Sequence, residues 1–289
     1  MTIKHLILEG GGPVGLIQLG FLEKMQHKHL WNIENIETIY STSVGSFIGL
    51  PIVLKYNINE IIEYYKNYPF NKIQENLQPI NFLELNKTLG LITKKNIIKL
   101  LEPLFKAKDL SLETTMLELY NYTKIDFHIF VTELNSFDCV DINYKTFPDF
   151  KIIDAVISSS AIPGLISPVF YNDKIFFDGG VFTNTPLKNC EIDTNCEKSE
   201  ILALINKYNN HNYSKEDLTL FTFYNVFFNK SITYCQKYII DNIDEYENIF
   251  IFDGNKNTNS KVNFSSISNA LFSKENRNQL IEYGYNLFS

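Results

Sequence analysis

Twice within the first fifty residues a short apolar run ends in small residues and reopens as a helix-like stretch. Leu6-Ile7-Leu8 leads into Gly10-Gly11-Gly12-Pro13-Val14-Gly15, and Thr38-Ile39-Tyr40 leads into Ser41-Thr42-Ser43-Val44-Gly45. Short continuous apolar runs bounded by turn residues read as strands buried on both faces. Strands that alternate with helices pair in parallel, since the crossover returns each one to the same edge. The pattern predicts an α/β fold: a mostly parallel central sheet with helices on both faces.

The chain of 289 residues is 45% hydrophobic, enough to bury a full core, and is expected to form a single domain over residues 1–289. A net charge of −7 argues against a nucleic-acid partner, which would require a basic face, and against purely electrostatic docking on anionic membranes. Cys139, Cys190, Cys196 and Cys235 show neither CxxC nor metal-ligand spacing and are expected as reduced thiols, with no metal site. The first residues enter a strand directly, with no signal-peptide pattern, and no apolar run reaches the ~18–20 residues of a spanning helix. The expectation is a soluble, intracellular protein. Arg277 is the sole arginine.

Periodicity places strands at 3–8, 36–40 and 125–132, near Val169, and at 175–177, 201–205 and 248–252. Helices are predicted over 13–25, through Leu54 after Ser43, from Asn57 with a capping box to Glu60, and over 93–105, 149–160, 218–240 and 274–287. Ser111 is expected to cap a short helix through Tyr120, and 139–147 to form a hairpin. Residues 206–212 and 255–260 read as linkers.

The spacing Gly10-x-Gly12-x-x-Gly15 matches the dinucleotide fingerprint. That reading requires an acid at the end of the second strand, where Tyr40-Ser41-Thr42 stands instead. Ser41-x-Ser43-x-Gly45 approximates a nucleophile elbow, which needs small residues two before and two after the serine because strand and helix approach closely there. Ser43 would sit at a helix N-terminus, where the dipole favours an alkoxide. Phe177-Asp178-Gly179-Gly180 then supplies an acid after a short strand. Taken in order, the three phrases offer amide donors, a nucleophile and a base, the parts of a serine acyl hydrolase.

On these residues the chain resembles the patatin-like phospholipase family, cytosolic acyl hydrolases that use a Ser–Asp dyad instead of a triad. The likeness extends to Glu118-Leu119-Tyr120, Val131-Thr132-Glu133-Leu134-Asn135, Ser160-Ala161-Ile162-Pro163 and Asn184-Thr185-Pro186, and spans residues 3–190. Residues 191–289 are unmatched and expected to complete the fold. The resemblance implies a three-layer sandwich with Ser43 as nucleophile and Asp178 as its base. It assigns an oxyanion hole to the amides of Gly10, Gly11 and Gly12, chiefly the latter two, supported by Gly15, Ser41, Gly45, Gly179 and Gly180. It further implies a phospholipid or other acyl-ester lipid as substrate, peripheral contact with membranes, no cofactor and independence of calcium.

Three positions depart from the family pattern. Val14 stands where Arg or Lys is usual, Ser41 where Gly is, and Thr185 where a second Asn is frequent. Val14 removes a charge beside the oxyanion loop and Ser41 is expected to strain the elbow. A catalytically degenerate lipid- or partner-binding protein is the alternative these departures motivate. Chain order also permits a Ser43, Asp178, His211 triad, although His211 lies in a polar loop; His128 reads as a strand residue. The aromatic stretch 218–228 reads as a core helix or as a lid or interfacial surface that meets lipid.

Overall fold

The computed structural model describes residues 2–70, 82–207, 214–215, 223, 226–227, 230–234, 243–253 and 273–288. In chain order these form β1 (His5–Leu8), α1 (Val14–His27), β2 (Thr38–Thr42), α2 (Val44–Val53), α3 (Ile58–Asn67), α4 (Phe82–Thr88), β3 (Gly90–Ile92) and α5 (Lys94–Lys106). Next come α6 (Met116–Thr123), β4 (Asp126–Glu133), β5 (Asp138–Ile142), α7 (Ile152–Ser159), β6 (Gly164–Ile166), β7 (Val169–Tyr171) and β8 (Lys174–Asp178). The chain ends with α8 (Leu187–Thr194), β9 (Ile201–Asn206), β10 (Ile249–Phe252) and α9 (Lys274–Asn286).

The main sheet runs β10-β9-β1-β2-β4-β8-β7, with β5 on β4. Its first half is parallel. From β4 onward the pairings are antiparallel. The predicted parallel sheet thus acquires an antiparallel flank, because short turns join β4 to β5 and β7 to β8 and no crossover helix is needed. Side chains alternate across the sheet as a period of two requires. Leu6, Leu8 and Ile39 face the large core with α1 and α2, while Ile7, Tyr40 and Phe130 face a smaller one with Leu187 and Cys190 of α8. Helices therefore cover both faces.

Local chemistry sets most element ends. Asn57 and Glu60 form the reciprocal capping box at α3, whose Ile58, Ile61, Ile62 and Tyr65 are buried. The expected cap at Ser111 is displaced: Thr115 and Glu118 make the box that starts α6, and Ser111 Oγ instead accepts from the Glu113 amide in the preceding turn. The hairpin expected over 139–147 is made by β4 and β5 around residues 134–137. The small β3–β6 sheet is additional. Residues 230–234 of the helix predicted over 218–240 are helical; much of that stretch, and nearly all of both linker-like segments, lies outside the described residues.

Beyond residue 190, β9 pairs with β1 and extends the parallel edge, and α9 packs along α1. Arg277 of α9 is 3% exposed and spends its guanidinium on the end of α3, donating Nε–H to the Tyr65 carbonyl and Nη2–H to those of Lys66 and Tyr68. A cation at a helix C-terminus satisfies carbonyls that lack intrahelical donors and meets the negative dipole end.

Candidate active site

Ser43 is the hinge between β2 and α2. Its backbone sits at φ 54, ψ −125, a sparsely populated combination for a side-chain-bearing residue, which aims Oγ away from both elements. The tight turn brings α2 against β1. A Cβ at Gly45 would lie 1.9 Å from the Leu8 carbonyl oxygen, so only glycine is compatible with this crossing. Two further hydroxyls hold the bend: Ser46 Oγ donates to the Ser43 carbonyl (2.6 Å), and Ser159 Oγ accepts from the Ser43 amide (2.8 Å). Ser159 Oγ in turn donates to the Phe130 carbonyl (2.6 Å), which locks α7 and β4 to the turn.

Asp178 closes β8 and reaches Ser43 directly: Oγ donates to Oδ2 at 2.7 Å. Its other oxygen, Oδ1, accepts from the Gly180 amide (2.8 Å), and its carbonyl accepts from Thr132 Oγ1 (2.9 Å). A Cβ at Gly179 would fall 2.2 Å from the Phe130 carbonyl oxygen, so glycine lets the acid approach β4. Asp178 is 1% exposed. Burial pushes its carboxyl up to about 6, against the lowering effect of the Ser43 and Gly180 hydrogen bonds.

The glycine loop lies between these parts. Gly12 has φ +56 and Gly11 φ 148, conformations open mainly to glycine. The Gly10 amide, expected among the oxyanion donors, is committed to the Asn184 carbonyl at 3.2 Å. Gly10 serves by its missing side chain instead, since a Cβ there would sit 2.4 Å from Asn184 Oδ1 and 3.1 Å from Ser43 Cβ. Among the described residues no protein acceptor engages the Gly11 or Gly12 amide. Glu9, wholly buried, ties the loop to distant segments by accepting from Thr185 Oγ1 (2.8 Å) and from the Asn206 amide. Thr185 thus has a definite role at the position where it departs from the family pattern.

Ser41, expected to strain the elbow, is buried on β2. The buried hydroxyl donates to the His128 carbonyl at 3.1 Å, so a polar group on a central strand is satisfied. Val14 is buried in the large core at the start of α1. Ile232 reaches the Asp178 turn, its Cδ1 standing 3.1 Å from where a Gly180 Cβ would be. Phe223 and Phe227 are exposed, while Phe228 and His211 lie outside the described residues.

His128, Asp141 and Asp193 bring three possible metal-ligand atoms within 4.8 Å of one another. Burial works against a charge on His128, but hydrogen bonds to Asp126 and Asp141 outweigh it and push the imidazole up to about 9. The ring lies between the two carboxylates, with Nε2 3.3 Å from Asp126 Oδ1 and Nδ1 2.7 Å from Asp141 Oδ2. The ring stacks on Tyr40 at 4.1 Å. Cys139, Cys190 and Cys196 are free thiols. No helix among the described residues is long and apolar enough to cross a membrane.

The α/β fold agrees with what comparison with known proteins finds. Residues 6–190 match the profile of the patatin-like phospholipase family, and the chain belongs to that family. It is 31% identical over 187 residues to the probable lipid hydrolase 463L of Invertebrate iridescent virus 6, covering 64% of this chain and 62% of the relative. It is 23% identical over 193 residues to the uncharacterized protein R571 of Acanthamoeba polyphaga mimivirus, covering 64% and 60%. The matches therefore span about three fifths of those relatives' lengths. The fold is similar to that of VipD from Legionella pneumophila, with a TM-score of 0.51 at 17% identity over 98% of this chain and 67% of that one.

Proposed function

We propose that this protein is a lipid acyl hydrolase of the phospholipase A or lysophospholipase kind, working through an acyl–Ser43 intermediate. The observation that carries the reading is the direct 2.7 Å hydrogen bond from Ser43 Oγ to a buried Asp178 whose other oxygen is already held. Asp178 Oδ2 takes the hydroxyl proton as Oγ attacks the acyl carbonyl. The tetrahedral oxyanion forms beside the open Gly11 and Gly12 amides, and its collapse expels the alcohol, to which Asp178 returns the proton. Water then repeats the sequence on the acyl-enzyme. A carboxylate is a weak base for a serine, yet burial strengthens it: each unit of pKa is worth about 1.4 kcal/mol of proton affinity. Oxyanion donors supply the remainder, at about 3–4 kcal/mol for each. No step calls on a metal, so activity is expected to be independent of calcium and to survive chelation.

Labelling with a fluorophosphonate probe tests the reading. The wild type is expected to label, while folded Ser43→Ala does not label and folded Asp178→Asn labels at least ~100-fold more slowly. A well-folded wild type that fails to label with or without lipid favours the degenerate binding protein instead. The pH dependence is a second test. With the Asp178 carboxyl at about 6, kcat/KM for a soluble ester falls roughly tenfold per unit below that pH and is flat above it. An ascending limb that persists unchanged in folded Asp178→Asn would remove Asp178 from the role of base.

A further inference from the structure

Two aromatic rings stand uncovered beside the dyad. Phe182 directly follows the 3-10 turn Gly179–Val181 that leaves Asp178, and Phe137 sits in the turn of the β4–β5 hairpin. Phe137 is 56% exposed and Phe182 38%, and their rings meet edge to face at 5.1 Å. Leu134 on the same hairpin is 49% exposed. β4 is parallel to β2 and continues past Phe130, the register partner of Thr42, so the hairpin rises from the sheet edge that carries Ser43.

Phe137 is also strained. Its φ of 55 places a bulky side chain in the left-handed region that asparagine and glycine occupy more cheaply. A strained residue that leaves 56% of its surface to water returns little to the fold beyond its edge-to-face contact with Phe182. The turn is nevertheless held firmly. Glu133 Oε2 accepts from the Ser136 amide and hydroxyl, and Asn135 Nδ2 donates to the Asp173 carbonyl. Cys139 Sγ meets Thr183 Oγ1 at 3.2 Å, and the Thr183 carbonyl accepts from Thr42 Oγ1 at 2.6 Å, one residue before Ser43. The aromatic pair and the serine turn are thus one connected unit.

We infer that Phe137 and Phe182, with Leu134, form the surface by which this protein seats its site on a zwitterionic phospholipid layer. Charge decides the occupant. Residues 134–138 carry a single charge, the acid Asp138, and Asp173 and Lys174 across from them offset each other. With no basic cluster among the described residues of this surface to draw an anionic headgroup, apolar insertion into a layer of no net charge is the compatible contact. The choice of a lipid partner rests on the acyl hydrolase reading, but the test does not require turnover.

Co-sedimentation with phosphatidylcholine vesicles makes that test. The wild type and Ser43→Ala are expected to bind alike. Phe137→Asn relieves the backbone strain while removing the ring, so it should melt at or above the wild-type temperature yet bind at least ~10-fold more weakly. Leu134→Asn should weaken binding in the same direction, and Phe137→Trp should restore it. The inference is overturned if the wild type stays in the supernatant, if folded Phe137→Asn binds as well as wild type, or if adding phosphatidylserine tightens binding. Phe137-dependent vesicle binding by a protein that never labels with fluorophosphonate would reject the catalytic reading and leave the docking surface standing.

Discussion

Asp178→Asn is expected to lower esterase activity by at least ~10³-fold and, at the same time, to make the protein more stable at pH 8 by about 2 kcal/mol. The loss of activity follows from the role of Oδ2, since an amide cannot take the Ser43 proton. The gain in stability follows from burial. An unfolded aspartate ionises near ~3.9, whereas burial holds the folded carboxyl at about 6. The folded state therefore binds the proton more tightly than the unfolded one. The stabilisation this gives is complete below about 4 and is lost as pH rises through about 6, where the fold must carry a desolvated charge. Asparagine can still accept from the Gly180 amide without that charge. The difference in stability between variant and wild type should therefore open between about pH 4 and pH 6 and stay constant above. Urea melts at pH 4, 6 and 8 measure it. A variant less stable than wild type at pH 8 would mean that Asp178 is a structural anchor whose charge the fold requires.

That trade-off bears on what a sequence can reveal. The turns presenting Ser43 and Asp178 were legible because they are set locally: a strained elbow requires Gly45, and an acid drawn against β4 requires Gly179. What holds them was not legible. Ser159 is the middle of three consecutive serines, and only the tertiary register of α7 selects it over Ser158, which donates back to Asp154 within its own helix. The Gly10 amide read as an oxyanion donor until the Asn184 carbonyl, far along the chain, claimed it. The bond from the Ser41 hydroxyl to the His128 carbonyl likewise depends on the neighbouring strand. Among the described residues, the periodic helices and apolar strands were recovered with small shifts at their ends, while most of the helix expected over 218–240 lies outside them. The antiparallel flank and the three-residue strands β3 and β6 were not, since pieces that short carry no period. Thr115 prevailed over Ser111 because its partner Glu118 lies three residues on, which a reciprocal box requires.

The second large effect is expected far from the dyad, where α9, beyond the family match, meets α1 within it. α9 crosses α1 so closely that each helix presents a glycine to the other's backbone. A Cβ at Gly20 would lie 1.8 Å from the Ile281 carbonyl oxygen, and one at Gly284 would lie 2.0 Å from that of Ile17. On an isolated helix, Gly→Ala stabilises by about 1 kcal/mol, because alanine restricts the unfolded chain. Here the methyl group would meet backbone, which has no rotamer into which to retreat. Gly284→Ala is therefore expected to carry the opposite sign and destabilise the protein by about 3 kcal/mol, with Gly20→Ala similar. Chemical unfolding checks both. The double variant should cost less than the sum, because once one methyl has pushed the helices apart the second finds room. Separation would also disturb Arg277, whose bonds to the Tyr65, Lys66 and Tyr68 carbonyls require α9 to stay close to α3. The damage should thus reach the packing of α1 against β9 and the parallel edge beside the glycine loop. Neutral or stabilising alanines would show that α9 does not lie on α1 in solution, and the large core would then need another cover for Leu16, Ile17 and Phe21.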